Sequence, residues 1–401
     1  MKLAGCEVFV VGNPPPRKGG RYFIFVQLTT DDGITGVGEV YAATFGPHTV
    51  AKMVEDVYAR HFDGADPHRI EHLWRLTYGS GYSARPDASL MGVLSGLEIA
   101  CWDIIGKSAG KPVYDLLGGK CREKIRTYTY MYPEDGDVYP EFDADTIYTN
   151  PAMAAERALD YLAMGFNALK FDPAGPYTVY DPHQPRIEDL ERSEAFCKAI
   201  REAVGNKADL LFGTHGQFTT SGAKRMARRI EKYEPLWFEE PVAAEMPEQM
   251  AEVARSTSTP IATGERLCTK YEFARVLECG AASILQPNLG RVGGLLEAKK
   301  IAALAEVHYA QVAPHLYCGP VVGAANAQLA TCIPNFLILE SIERWDGFHG
   351  EIISGMQWQD GYVIPSTEPG LGIELNLELA RSTPYDGDEL HLIMAPEELV
   401  P

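Results

Sequence analysis

No two cysteines of this sequence stand at CxxC spacing: the 8 present are Cys6, Cys101, Cys121, Cys197, Cys268, Cys279, Cys318 and Cys332. A disulfide framework or a zinc ribbon is therefore not expected; reduced, mostly buried thiols in a cytoplasmic protein are. No run of 18 apolar residues occurs, so no membrane-spanning helix is expected. The opening Met-Lys-Leu-Ala-Gly-Cys-Glu places charge too early for the apolar core of a secretory leader. Basic residues are few: 36 Lys and Arg face 55 Asp and Glu, a formal net charge of −19, which argues against nucleic acid as a partner. An anionic small-molecule substrate stays open, because a metal ion and a few lysines can reverse the field locally. Otherwise the composition is ordinary for a globular protein, and 401 residues leave room for one large domain with a smaller one.

The stretch from Leu236 to Glu340 supplies the organising pattern. Short apolar runs each end in one chemically useful side chain: Leu-Trp-Phe-Glu-Glu-Pro at 236–241, Ala-Thr-Gly-Glu-Arg at 262–266, Ile-Leu-Gln-Pro-Asn at 284–288, Val-Ala-Pro-His at 312–315 and Phe-Leu-Ile-Leu-Glu at 336–340. Glu239, Glu265, Asn288, His315 and Glu340 follow one another at 26, 23, 27 and 25 residues, about the length of a strand, a helix and two loops. Acid, amide and imidazole groups at successive strand ends are what a (β/α)₈ barrel presents at its catalytic face.

In chain order, residues 1–10, 22–30 and 35–41 read as a three-stranded meander with a turn at Asp31-Asp32-Gly33, and 13–20, with three prolines, as a loop. Residues 47–78 and 86–117 read as helices, completing an α+β domain. Barrel strands are expected at 126–131, 168–172 and 210–215, ahead of the five from 236 to 340, with helices at 151–164, 186–204 and 222–233. The segment 173–185 is too long for a minimal βα loop and lies on the catalytic side. Short strands are expected from about 345, folding back on the N-terminal domain, and 384–401 reads as an arm at a subunit contact or a frayed end. The fold class is α/β: a (β/α)₈-type barrel over 126–345, capped by an α+β domain formed by 1–125 and the tail 346–401.

Period-two alternation puts Lys170 and Asp172 on one face of the second barrel strand, and Leu211, Gly213 and His215 on one face of the third. The mouth would then hold Lys170, Asp172, His215, Glu239, Glu265, Asn288, His315 and Glu340. Two glutamates on neighbouring strands suit a hard cation, since Mg²⁺ needs one or two carboxylates beside waters and substrate oxygens. Glu239 is preferred to Glu240 as ligand on face and spacing. Such a metal can hold a substrate carboxylate and stabilise an enediolate. Lys170 and His315 stand on opposite sides of the mouth as bases, and His215 suits a general acid. The plain alternatives are an ion pair of Lys170 with Asp172 and a buried salt bridge at Glu340.

Glu-Glu-Pro at 239–241, Gly-Glu-Arg at 264–266, Gln-Pro-Asn to Gly-Gly at 286–294 and Ala-Pro-His at 313–315 resemble the enolase superfamily, in its mandelate racemase-like branch. Leu97–Asp103, Leu116–Lys120 and Pro369–Gly372 extend the resemblance over nearly the whole chain. Ala168–Tyr177 and His215-Gly216 with Phe218 resemble the acid-sugar dehydratases acting on gluconate and galactonate. The resemblance implies Mg²⁺-dependent loss of water from a sugar acid to a 2-keto-3-deoxy acid. Glu239 and Glu265 would be metal ligands, His315 a strand-seven acid/base, His215 the proton donor to the departing hydroxyl, and Glu340 a bond to the substrate carboxylate. Asp172, Arg266 and Tyr177 would touch substrate, and the loops at 13–20 and 44–48 would close over its distal hydroxyls. An even-numbered homo-oligomer is also implied.

The sequence departs from that pattern twice. The first metal ligand, acidic in the family, falls at Gly213, and Asp209 lies about 13 Å too far along the strand to replace it. Water, His215 or Asp172 are the groups left to fill the gap. Asn288 stands where the family has an aspartate beside the strand-seven histidine. An amide can orient His315 but cannot stabilise its imidazolium, which shifts acid–base work toward Lys170. Two other activities therefore stay open, an acid-sugar epimerase or cycloisomerase and a binding protein that has lost turnover.

Overall fold

The computed structural model describes residues 1–42, 44–134, 146–172 and 182–391. Strands β1 (Leu3–Gly12), β2 (Tyr22–Thr30) and β3 (Thr35–Val40) form the expected antiparallel meander. The helix Ala88–Ala109 lies across it so closely that two glycines are obligatory. A Cβ at Gly38 would come within 1.9 Å of the Gly96 carbonyl oxygen, and one at Gly36 within 2.3 Å of that of Ala100. Gly38→Ala is accordingly expected to destabilise the protein by about 1–3 kcal/mol or more, read as a lowered midpoint in urea with an unchanged slope. The same helix is long and apolar enough to cross a membrane by length and composition, and 83% of that window is buried inside the molecule. The 47–78 region is two helices, Pro47–Val57 and Ile70–Tyr78, rather than one. A wide turn over Tyr58–Phe62 ends the first, and Gly64 (φ 67°) reverses the chain between them. Likewise Ala88–Ala109 stops at Gly110 in the left-handed region, and Val113–Leu116 is a separate turn.

Eight parallel strand segments follow, each leading into a helix, the last into the short Phe348–Ile352. They are β4 (Ile125–Tyr130), β5 (Ala168–Phe171), β6 (Asp209–Gly213), β7 (Trp237–Glu239), β8 (Ile261–Thr263), β9 (Ile284–Leu285), β10 (Gln311–Val312) and β11 (Leu339–Ser341). Neighbours pair in chain order from β4 to β10. β11 pairs with β4, and a parallel bridge from Val312 to Phe336 joins β10 to the approach of β11, so the ring closes. One inward side chain from each segment makes its floor: Tyr128, Ala168, Leu211, Trp237, Ala262, Ile284, Ala313 and Ile338.

Two buried carboxylates dock the cap onto the barrel. Glu98 accepts from the backbone N–H of Leu295 (2.7 Å) and Leu296 (3.0 Å), at the start of the helix Leu295–Val307. Glu39 accepts from Gly319 and Val322 at the start of the helix Pro320–Cys332. Each satisfies N–H groups that the first helical turn cannot pair internally. Burial nevertheless raises both, Glu98 to about 7 and Glu39 to about 8.

The tail serves both units. Strands at Gln357–Gln359 and Tyr362–Ile364 form a hairpin whose second strand pairs with β4. From Thr383 the chain runs along β1, with Pro384 bridged to Val11. It ends its described course at His391, buried among the rings of Tyr22, Tyr41 and Tyr317. Thus His391 anchors the segment 384–391 to the cap, while 392–401 lie outside the described residues. All eight cysteines are free, and Cys121 is the exposed one.

Candidate active site

The floor residues fix which side chains reach the mouth. Two positions on from a floor residue, on the same strand face, stand Lys170, Gly213, Glu239, Gln286, His315 and Glu340. His215 arrives by a different route from the alternation expected. β6 ends at Gly213, and His215 adopts φ 50° with Gly216 at φ 76°. That left-handed turn is pinned to the end of β7, by Gly216 N–H to the Glu240 carbonyl (2.8 Å) and Thr214 Oγ1 to that of Glu239 (3.0 Å). A histidine accepts this backbone more readily than a β-branched residue would.

The structure brings the eight expected residues together. Lys170 Nζ lies 2.5 Å from Glu239 Oε1, 3.8 Å from Glu340 Oε1 and 3.9 Å from Glu265 Oε2. The alternative ion pair of Lys170 with Asp172 does not form; the Asp172 carboxylate instead lies 2.5 Å from Nδ1 of His215. The Asp172 side chain is buried against that ring, where it positions His215. His315 Nε2 sits 3.4 Å from Glu265 and 3.9 Å from Glu340. Its Nδ1 is 2.9 Å from Asn288 Nδ2. Asn288 Oδ1 accepts from Gly290 N–H (2.9 Å), which fixes the amide so that its NH₂ donates to the ring. Nδ1 of neutral His315 is thereby an acceptor, and the ring's own proton is on Nε2. Glu340 Oε2 accepts from Leu316 N–H (2.8 Å).

Arg266, expected at the substrate, has a protein partner. Its guanidinium is tied to Glu240 (2.8 Å), whose other oxygen accepts from Thr263. Tyr177 lies outside the described residues. The loop 13–20 does reach the mouth: Lys18 pairs with Glu343 (2.7 Å), just beyond β11. Sequence reasoning gave no role to Trp237 or Gln286, whose N–H groups both bond Glu239 Oε2 at 2.9 Å. Nor did it give one to Asn326, which holds the His315 carbonyl (3.1 Å), or to Tyr41, whose ring lies 6.3 Å from that of His315. Gln286 was accessible by the same alternation; the other three depend on tertiary contacts.

The electrostatics separate the two histidines. Burial opposes charge on His215, but Glu265 and Asp172 outweigh it and raise its pKa to about 9, so the ring is an imidazolium at neutral pH. Burial pushes His315 down to about 3, so it is neutral. Burial also opposes charge on Lys170, yet Glu239, Glu340 and Glu265 hold its pKa well above the ordinary lysine range. Glu265 is held below the usual carboxylate range against its burial, by the charged groups around it, His215 and Lys170 among them. Burial raises Glu340.

The family resemblance implies Mg²⁺, and the donor set can be tested against it. Glu265 Oε2 is buried and has no hydrogen-bond partner, an open hard-oxygen ligand. Glu239 Oε1 faces it across Lys170. Two carboxylates, completed by waters and substrate oxygens, fit the ligand chemistry of Mg²⁺. The third position is bare: Gly213 offers no side chain, and among the described residues no group of three or more His, Cys, Asp or Glu is arranged to hold a metal.

Comparison with known proteins agrees with this architecture. Residues 17–118 match the family described as "Mandelate racemase / muconate lactonizing enzyme, N-terminal domain", and residues 153–379 match "Enolase C-terminal domain-like". A solved structure from Labrenzia alexandrii DFL-11, with a provisional mandelate racemase/muconate lactonizing enzyme description, is 66% identical, with a TM-score of 0.96 and 100% of both chains covered. Curated relatives include a D-galactonate dehydratase of Xanthomonas euvesicatoria, 33% identical over 90% of this chain and 91% of its own. A D-gluconate/D-galactonate dehydratase of Picrophilus torridus is 32% identical over 96% and 95%. With both domains matched in sequence and the capped barrel matched in structure, the chain belongs to the mandelate racemase/muconate lactonizing enzyme family of the enolase superfamily.

Proposed function

We propose that this chain is an acid-sugar dehydratase, removing water from an aldonate such as galactonate or gluconate to give a 2-keto-3-deoxy acid. The observation that carries the reading is the His215–Asp172 pair, a half-buried imidazolium at a mouth that Lys170 and His315 flank from opposite strands. The named dehydratases, similar over nine-tenths of the chain, support the same class.

Glu239 and Glu265 are the residues that would hold Mg²⁺. When bound there it supplies positive charge for the substrate carboxylate and the enediolate, and competes with Lys170 for both glutamates. Lys170 is protonated among its glutamates, and it is the group placed to take the proton from the carbon beside the carboxylate once it has left them and lost its own. His315 carries its proton on Nε2 and donates from the other side to the oxygen that gains charge. Glu340, raised by burial, is the group placed to bond the substrate carboxylate, donating to it when it carries a proton. His215 gives its proton to the hydroxyl on the next carbon as that C–O bond breaks, and Asp172 holds the ring in place. The enol that remains becomes the 2-keto acid by taking up a proton at C3.

The test is incubation with a panel of hexonates and pentonates in D₂O, with and without EDTA. A 2-keto acid that fails to form after chelation, or with Glu265→Gln, is the expected result. Deuterium entering the substrate without a keto product would instead identify an epimerase. Neither product nor exchange, with binding retained, would leave the binding-protein reading.

A further inference from the structure

We infer that the divalent cation and the acid substrate enter this site as a pair, each helping to move Lys170 off Glu239 for the other. The inference rests on the proposed dehydratase reading for the class of acid, but its geometry does not depend on turnover. Two independent features of the mouth point to it.

The first is the missing ligand. A Cβ added at Gly213 would meet Lys170 Cε at 3.4 Å and Asp172 Oδ2 at 3.6 Å, so this strand end is filled by neighbouring side chains, not by a carboxylate of its own. Glu239 and Glu265 alone leave most of a six-oxygen shell to other donors. A sugar acid can bring two of them, a carboxylate oxygen and the adjacent hydroxyl.

The second is the occupant. The Lys170 ammonium lies within 4 Å of Glu239, Glu265 and Glu340, the position a cation shared by these carboxylates would take. Glu239 cannot turn away to make room, because Trp237 and Gln286 hold its second oxygen. Mg²⁺ arriving alone must displace a buried ammonium and leave it without its closest partner, which is strongly unfavourable. A substrate arriving alone places a carboxylate beside three glutamates. Together they resolve both conflicts: the substrate carboxylate receives the displaced ammonium, and the metal neutralises Glu239 and Glu265. Each ligand then improves the other's affinity by the same factor, as linkage requires.

The test is calorimetry on EDTA-treated, re-dialysed protein, using Mg²⁺ and D-galactonate as probes. The mixed titrations use His215→Asn, so that turnover heat does not intrude. Mg²⁺ alone is expected to bind at about millimolar strength or weaker, and to tighten about 10–100-fold when D-galactonate is present. Lys170→Gln, which removes the competitor, is expected to bind Mg²⁺ alone at least about tenfold more tightly than wild type. Lys170→Met is the second variant should the first misfold. Equal Mg²⁺ affinity with and without the acid overturns the pairing. Lys170 variants that bind Mg²⁺ no better than wild type overturn the competition. If no sugar acid binds or yields a keto acid, the dehydratase reading fails separately, and the comparison of wild type with the Lys170 variants still decides whether lysine and metal compete.

Discussion

His215→Asn is expected to lower kcat for acid-sugar dehydration by about two to four orders of magnitude, the range of a lost general acid. Asparagine is the informative replacement because it tolerates the left-handed backbone at φ 50°. Circular dichroism and thermal melting should then report an intact fold, so the loss is chemical. The pH dependence carries the same signature. His215 titrates at about 9 in the folded protein against 6.5 for the free side chain. A group raised in this way stabilises the fold fully below about pH 6.5, and the stabilisation is lost as pH climbs through 9. Activity should fall over the same alkaline limb, as the proton donor is lost. Asp172→Asn removes one of the two charges that raise His215, and should move that limb to lower pH. A pH–rate profile of wild type beside Asp172→Asn measures this; coincident alkaline limbs would take His215 out of the proton-donor role.

Asn288→Asp should reverse the working direction of His315. In the present site Asn288 donates to Nδ1, which leaves the proton on Nε2 and the ring as a hydrogen-bond donor into the mouth. An aspartate accepts at that position, draws the ring proton to Nδ1 and frees the Nε2 lone pair. Its charge should also raise the His315 pKa by about 1–3 units from a value near 3. Gly290 N–H still has an oxygen to bond, so the loop geometry survives. The expected result is exchange of the substrate's α-proton with D₂O from the His315 side, at least about tenfold faster than in wild type. Nitrogen-15 spectra of the labelled histidine ring would report the tautomer directly. A wild-type ring already protonated at Nδ1 would sink the argument.

Much of this site was legible because a barrel strand is so regular. Once the floor is Ala168, Trp237, Ala313 and Ile338, the mouth must be Lys170, Glu239, His315 and Glu340, and the spacing along the chain already said so. Alternation stops at the strand ends, and there the sequence reading loses its hold. His215 reaches the mouth through a left-handed turn rather than as the next strand residue. Asp172 was placed beside Lys170 by period, but it bonds the residue across the turn. Arg266 follows a glutamate that faces the mouth, yet it is held by Glu240, a partner one strand away that no local pattern reveals. In the cap, the helical pattern of 47–78 conceals a break, because the wide turn at Tyr58–Phe62 keeps apolar residues on the inner face. Docking of the cap by Glu39 and Glu98 was not visible either, since a buried glutamate and a helix start meet only in three dimensions.

The two ends of the chain differ as places of attachment. The strand β1 starts far from the mouth and runs toward it, so Met1 stands at the remote end of the cap sheet while His391 is wedged under the roof. Gly20 has no side chain to yield there, since a Cβ would lie within 2 Å of the His391 ring. The His391 ring leans on Tyr41, and Tyr41 leans on His315. Immobilisation through the amino end leaves that stack untouched. A sensor or flow reactor built on this protein should be anchored by Met1, away from the His391 ring.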